Sequence, residues 1–176
     1  MTTEAERFAS VYAATYEQIL GYAVRRCEDP EDAADVVAET FATAWRRVHA
    51  LPDGDEARLW LYGIARKTLA NHRRGRVRRQ HHSAELDADV ADLYAHDPDS
   101  AVELSTIART FRELSDGDRE LLSLVAWEGL DHAELAKVLG VSRNAVRIRL
   151  HRARKRLSRA LRAAGVTSHH LVTEAK

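Results

Sequence analysis

Cysteine occurs once in this sequence, at Cys27, so no internal disulfide can form and a reducing compartment is the natural setting. A lone thiol of this kind reads as a small buried hydrophobe rather than a redox sensor. No apolar run approaches the length of a membrane span, which argues against membrane insertion. The opening MTTEAERFAS lacks the basic start and apolar core of a signal peptide, and a cytoplasmic protein is expected. Proline and glycine are scarce, at three and eight residues, and the alternation of a half-buried strand is missing, which leaves an all-α reading. The nine histidines invite a metal, but His81-His82 and His169-His170 are adjacent pairs that point apart on any regular element. Neither a cysteine cluster nor an HExxH pattern accompanies them, so no metal is expected. There is also no glycine-rich phosphate loop and no Ser/His/Asp order, so the reading assigns no cofactor and no enzymatic activity.

An excess of charge of either sign is missing too, with 27 basic and 27 acidic residues, but the average conceals strong segregation. Residues 1–60 hold 6 basic and 12 acidic side chains, a net of −6, whereas 61–82 hold 7 basic and none acidic. The sign reverses over 83–104, with 7 acids and neither Lys nor Arg, and 105–141 carry 4 basic and 7 acidic residues. Residues 142–176 then carry 10 basic and 1 acidic, a net of +9. Two basic stretches separated by an acidic one imply two polyanion-binding surfaces on a chain of zero net charge.

Helix signals order the chain. An opening helix is expected over about 4–26, with Phe8, Val11, Tyr12, Ile19, Leu20 and Ala23 as its apolar positions. Asp29 caps a second, with Pro30 at its first position and acids in its first turn, running to about Val48. Leu51 to Asp55 is a turn, and a third helix runs from Glu56 to about Arg74, stopping near Gly75. Residues 81–104 read as a flexible acidic linker. Helices over 102–114 and 116–127 follow, with Leu121, Leu122, Leu124 and Trp127 expected to hold the last two helices in place. The architecture is two small helical domains on a tether: 1–80, a linker over 81–104, 105–165, and a loose tail over 166–176.

Residues 131–162 are the most informative segment. A short apolar-patterned helix ends at Gly140, which can take the left-handed conformation of a helix stop, and Ser142 caps a second helix. On that second helix Val146, Leu150, Ala153, Leu157 and Leu161 form one apolar stripe, which turns Arg143, Asn144, Arg147 and Arg154 outward. Arginine can bind guanine edges and asparagine adenine edges in bidentate fashion, so this exposed row suits the major groove of DNA. Arg149, Arg152, Lys155, Arg156 and Arg159 are placed to meet phosphates. A solvated helix face normally mixes signs, yet no acid stands between Ser142 and Ala164.

Two further faces complete the pattern. Trp60, Lys67, Asn71, Arg74 and Arg78 fall at spacings of 7, 4, 3 and 4 along one helical stripe, combining an aromatic plate with cations. Such a face suits single-stranded DNA, whose bases stack on aromatics while Lys and Arg hold the backbone. Tyr62 and Ile64 read as core, and Trp60 is open to either role. On the preceding helix Asp32, Asp35, Glu39 and Arg46 share one side, while Val37, Phe41, Ala44 and Val48 share another.

In this order, DPEDAADVVAETFATAWRR, ARLWLYGIARKTLANHRRGR and LSDGDRELLSLVAWEGLDHAELAKVLGVSRNAVRIRLHRARKRL resemble the extracytoplasmic-function sigma factors, two-domain subunits that direct bacterial RNA polymerase to promoters. The resemblance spans about residues 8–164. It implies that Asp35, Glu39 and Arg46 face core polymerase. The loop Ala50 to Ala57, together with Trp60, Arg66, Lys67, Asn71, Arg73 and Arg74, would then melt and capture the −10 element of promoter DNA. Ser142, Arg143, Asn144, Arg147, Arg149, Arg152 and Arg154 would read the −35 element. Ala38 stands where the family commonly has glutamine, and Lys67 where many members have asparagine. An anti-sigma protein often restrains members of this family and is the further partner class implied. The rival readings are a stand-alone dimeric helix-turn-helix regulator, which leaves the 32–46 and 60–78 faces idle, and a pure protein-binding adaptor.

Overall fold

Seven α-helices account for nearly all of residues 3–79 and 98–166, the part of the chain that the computed structural model describes; over 76–79 and 98–103 the description is of the backbone. They are α1 (Glu4–Val24), α2 (Pro30–Arg46), α3 (Glu56–Arg79), α4 (Pro98–Arg112), α5 (Asp116–Ala126), α6 (His132–Leu139) and α7 (Arg143–Ala163), with a 3₁₀ turn at Val48–Ala50. There is no strand among the described residues. Most of the expected linker and the tail beyond Val166 lie outside them.

Local chemistry explains the helix starts. Thr3 and Glu6 form a capping box at α1, in which the Thr3 hydroxyl accepts from the Glu6 N–H at 3.2 Å and Glu6 Oε2 accepts from the Thr3 N–H at 2.7 Å. Asp29 caps α2 ahead of Pro30, as expected, its carboxylate accepting from the Glu31 N–H at 2.8 Å. Ser115 and Ser142 cap α5 and α7 in the same manner. Gly140 stops α6 at φ 66, where the Val141 N–H reaches the Ala136 carbonyl and the Gly140 N–H that of Lys137. Two boundaries differ from expectation. Gly75 does not end α3, which continues to Arg79, and α4 begins at Pro98, inside the segment read as linker. Proline favours the first turn of a helix, so Pro98 opens an element where composition alone had signalled coil.

Contacts sort the helices into two units. The first holds α1, α2, α3 and α6, and the second α4, α5 and α7. In the first, Ile19, Tyr22 and Ala23 of α1 meet Val36, Val37 and Ala44 of α2 and Leu61, Tyr62 and Ala65 of α3, all buried. The Tyr22 and Tyr62 rings lie 5.6 Å apart. α6 joins this unit through Arg58 Nη2, 2.9 Å from the Glu134 carboxylate, and through a contact of Lys137 with Glu56, although sequence reading had grouped it with the C-terminal helices. In the second unit Leu121 and Leu124 of α5 pack with Val146, Leu150, Ala153 and Leu161 of α7, while Leu157 is half-buried.

Trp127 departs from the core role expected of it. It caps the C-terminus of α5 beyond the last buried turn, remains 52% exposed and meets Phe111 edge-on at 5.7 Å. Cys27 is half-buried rather than fully enclosed.

Candidate nucleic-acid and polymerase interfaces

Helix α3 buries Leu61, Tyr62, Ile64, Ala65 and Leu69, and the period of 3.6 therefore turns a flank at Lys67, Asn71 and Arg74 to solvent. All three are exposed, and Trp60 is half-buried at the edge of the same flank. Arg74 Nη2 donates to Asn71 Oδ1 at 2.6 Å, and its Nε to the Ala70 carbonyl, so the stripe is ordered by its own i, i+3 contact. Arg66 and Arg73 are half-buried and lie off that flank. Arg73 turns back to donate to the Arg26 carbonyl at 3.2 Å, satisfying a peptide oxygen just past the end of α1. The side chain of Arg78 lies outside the described residues.

On α2, Asp35, Glu39 and Arg46 are exposed on one side. Arg46 Nη2 reaches Glu39 Oε1 at 2.6 Å and Thr43 Oγ1 at 2.8 Å, and Thr43 also donates to Glu39 at 3.1 Å. The Arg46 hydrogen bond, then that of Thr43, holds the Glu39 carboxyl below the usual carboxylate range. An open groove of about 560 Å³ runs between α2 and α3, with Asp35, Glu39 and Thr43 on one wall and Lys67, Asn71 and His72 on the other. The two faces that sequence reading treated separately therefore meet along one groove. His72 Nε2 stands 3.5 Å from Asp32 across the same helix pair, a proximity that no spacing rule reveals.

The loop before α3 is anchored from a distance. Arg7 Nη2 donates to the Leu51 carbonyl at 2.9 Å and to Asp53 Oδ1 at 2.7 Å, and Gly54 turns the chain at φ 60. Arg7 was not singled out from the sequence, because its partners lie 44 and 46 residues away.

In the second unit α7 presents Arg143, Asn144, Arg147, Arg149, Arg152 and Arg154 to solvent, and Ser142 is exposed while it caps the helix by accepting from the Ala145 N–H at 3.1 Å. Arg147 donates to Asn144 Oδ1 at 3.0 Å, repeating the Arg74–Asn71 pattern. Arg156 corrects the expectation that it meets phosphate, since its Nε and Nη2 grip both carboxylate oxygens of Asp118 at 2.5 and 2.6 Å. That fork joins α7 to α5, and the Arg156 hydrogen bond pulls the Asp118 carboxyl below its usual range. Lys155 and Arg159 stay exposed. Among the described residues no three His, Cys, Asp or Glu side chains gather where a metal ion could sit, and no helix is long and apolar enough to cross a membrane.

Fold and charge together describe an all-helical protein with one exposed cationic stripe beside a half-buried tryptophan and one acid-free, arginine-rich helix, a layout that suits a nucleic-acid-binding protein. Residues 11–79 match the family described as Sigma-70 region 2, and residues 104–157 that described as Sigma-70, region 4. The chain is 39% identical over 158 residues to the RNA polymerase sigma factor CnrH of Cupriavidus metallidurans, covering 82% of this chain and 81% of that protein. It is 30% identical over 148 residues to the ECF RNA polymerase sigma factor SigL of Mycobacterium tuberculosis, covering 83% and 84%. The solved structure of CnrH in complex with the cytosolic domain of CnrY superposes with a TM-score of 0.61 at 27% identity, covering 89% of this chain and 88% of that one. The chain belongs to the extracytoplasmic-function sigma factors of the sigma-70 family. It is an RNA polymerase sigma factor, which binds core polymerase and directs promoter recognition and initiation. The match over 11–79 covers the segment that a stand-alone regulator leaves unexplained.

Proposed function

We propose a division of labour among the exposed faces. Asp35, Glu39 and Arg46 on α2 dock core polymerase; the loop Ala50 to Ala57 with Trp60, Lys67, Asn71 and Arg74 captures the separated −10 strand; Ser142, Arg143, Asn144, Arg147, Arg149, Arg152 and Arg154 engage the −35 duplex. Arg66 and Arg73 belong to the −10 set as flanking cations, with Arg73 acting after release from the Arg26 carbonyl. The functional segments are residues 1–80 and 105–165, joined by an acidic linker over 81–104, with a tail over 166–176.

The observation that carries this reading is the exposure of Lys67, Asn71 and Arg74 beside half-buried Trp60, an arrangement a structural helix face has no need of. Stacking on such an aromatic contributes about 1–3 kcal/mol per base, and the neighbouring cations hold the phosphates. On α7 the Asn144 oxygen accepts from Arg147, so bidentate adenine reading either shares that oxygen or releases Arg147 to its own base or phosphate, which couples the two contacts. The protein works in the cytoplasm, beside the polymerase, and carries out no catalysis itself. CnrH is solved in complex with the cytosolic domain of CnrY, and a protein partner of the anti-sigma class is likewise expected for this chain.

Run-off transcription with bacterial core polymerase tests the assignment. Specific transcripts are expected only when the protein is added. Arg143→Ala and Arg147→Ala should each weaken use of promoters that depend on the upstream element by about tenfold. Lys67→Ala and Asn71→Ala should slow opening on duplex templates and spare pre-melted ones, and Glu39→Ala should lower affinity for core enzyme without shifting the melting temperature. Active core enzyme that yields no specific transcript with the added protein would sink the reading.

A further inference from the structure

We propose that Arg7 is a positioning residue for promoter opening: it pins the loop between the 3₁₀ turn and α3 in the shape that receives the unpaired −10 base. The inference rests on the reading of Ala50 to Ala57 as the capturing loop.

Arg7 lies in the first turn of α1, far in sequence from that loop, and nothing about its charge distinguishes it from any other surface arginine. Its placement does. A single nitrogen, Nη2, donates both to the carbonyl of Leu51 and to the carboxylate of Asp53, at 2.9 and 2.7 Å. Leu51 is 5% exposed, so its carbonyl marks the inner end of the loop, whereas the Asp53 side chain is 92% exposed and marks the outer tip. The guanidinium thus ties root and tip of the loop to one point on α1. Arg7 is itself held, since its N–H donates to the Thr3 carbonyl within the capping box that starts α1.

The two contacts have different weights. An exposed arginine–carboxylate pair contributes little, because water screens it and two side chains must be ordered to make it. A charged donor on the carbonyl of a buried residue contributes more, since that oxygen has lost much of its access to water and is costly to leave unmade. The rest of the loop rests on short-range bonds, Leu51 N–H to the Val48 carbonyl and Ala57 N–H to the Gly54 carbonyl, neither of which spans the segment between Leu51 and Gly54. Arg7 spans it. A loop that must accept a base pulled from the stack binds more tightly if its backbone is already in place, so loosening this tether falls on base capture rather than on folding. Lysine carries the charge and several donors on one nitrogen, but its side chain ends short of the position of Arg7 Nη2 and can serve the two acceptors only in part.

The test uses holoenzyme assembled on core polymerase, a duplex promoter, the same promoter pre-melted over the −10 region, and a panel with each base in turn at every −10 position. Arg7→Ala should slow opening of the duplex by about tenfold, flatten the base preference, and leave core affinity and dependence on the upstream element unchanged. Arg7→Lys should restore part of the loss. Asp53→Ala should give a smaller loss in the same direction and add nothing in the Arg7→Ala background, as expected of two groups in one contact. Unchanged opening and base preference in Arg7→Ala, beside an Asn71→Ala variant that fails to open the promoter, overturns the pin and leaves the loop reading standing. Wild-type opening in Asn71→Ala and Lys67→Ala removes the footing and the proposal with it. Should circular dichroism show Arg7→Ala unfolded, Asp53→Ala decides, because truncating so exposed a side chain leaves the core intact; unchanged base preference there overturns the proposal.

Discussion

At the scale of single residues, the arginines of this chain divide by what they meet rather than by where they fall in the sequence. Arg143, Arg147 and Arg154 lie on the open face of α7, while Arg156, two positions beyond Arg154, is committed to Asp118. The sign of that pair's pH dependence follows from the direction of the Asp118 shift. A carboxyl held below its unfolded value stabilises the fold above the ordinary carboxylate range and loses that contribution as pH falls through it. Acid titration of the wild type followed by far-ultraviolet circular dichroism should therefore show stability declining below about pH 4, and Asp118→Asn should lower the neutral melting temperature by about 5 °C and flatten that decline. Equal acid sensitivity in the two proteins would tell against the pair as an anchor of α7. This arginine is illegible in the sequence because seven Arg and Lys side chains crowd 143–156, and only a partner 38 residues away separates the structural one from the others.

At the scale of elements, the helices begin and stop where single side chains satisfy the peptide groups left over at their ends. Gly140 and Gly117 make opposite predictions from the same chemistry. A Cβ at either position meets nothing within 4 Å, so space decides neither case. Gly140 sits at φ 66, and Gly140→Ala should cost about 1–2 kcal/mol, read as a lower midpoint in urea denaturation. Gly117 lies in the first turn of α5, so Gly117→Ala should raise the midpoint, by about 0.5–1 kcal/mol. These stops were readable in advance because capping is a matter of three or four neighbouring residues. The run of α3 through Gly75 was not, since a mid-helix glycine costs only about 1 kcal/mol and leaves the outcome to the residues on either side.

At the scale of the whole molecule, zero net charge is the sum of segments of opposite sign. Binding of holoenzyme to promoter DNA should weaken with salt, because each neutralised phosphate releases counterions. Replacing Arg149 or Arg152 by alanine should reduce the slope of log affinity against log salt by about one and weaken all promoters alike. Arg143→Ala should instead relax preference at one base position. A salt slope identical in all three variants would show that α7 does not lie against DNA.

Local order was settled by the sequence itself: helix periods, caps, the turn at Gly140, the acid-free face of α7 and the alignment of Trp60, Lys67, Asn71 and Arg74 all depend on residues within a turn or two of one another. Spacing alone also predicted which side of α7 is buried, and Val146, Leu150, Ala153 and Leu161 are enclosed there. Tertiary structure decided the pairings across distance: Arg7 with Leu51 and Asp53, Arg73 with the Arg26 carbonyl, Arg156 with Asp118, and the groove where α2 and α3 meet. The exposure of Trp127 belongs with these, because a large apolar side chain is buried only if a neighbouring helix covers its position. The physical reason is common to all of them. Backbone periodicity acts over a few ångströms along the chain, whereas the partner of a long charged side chain is whichever acceptor the packing of other helices brings within about 3 Å of its tip.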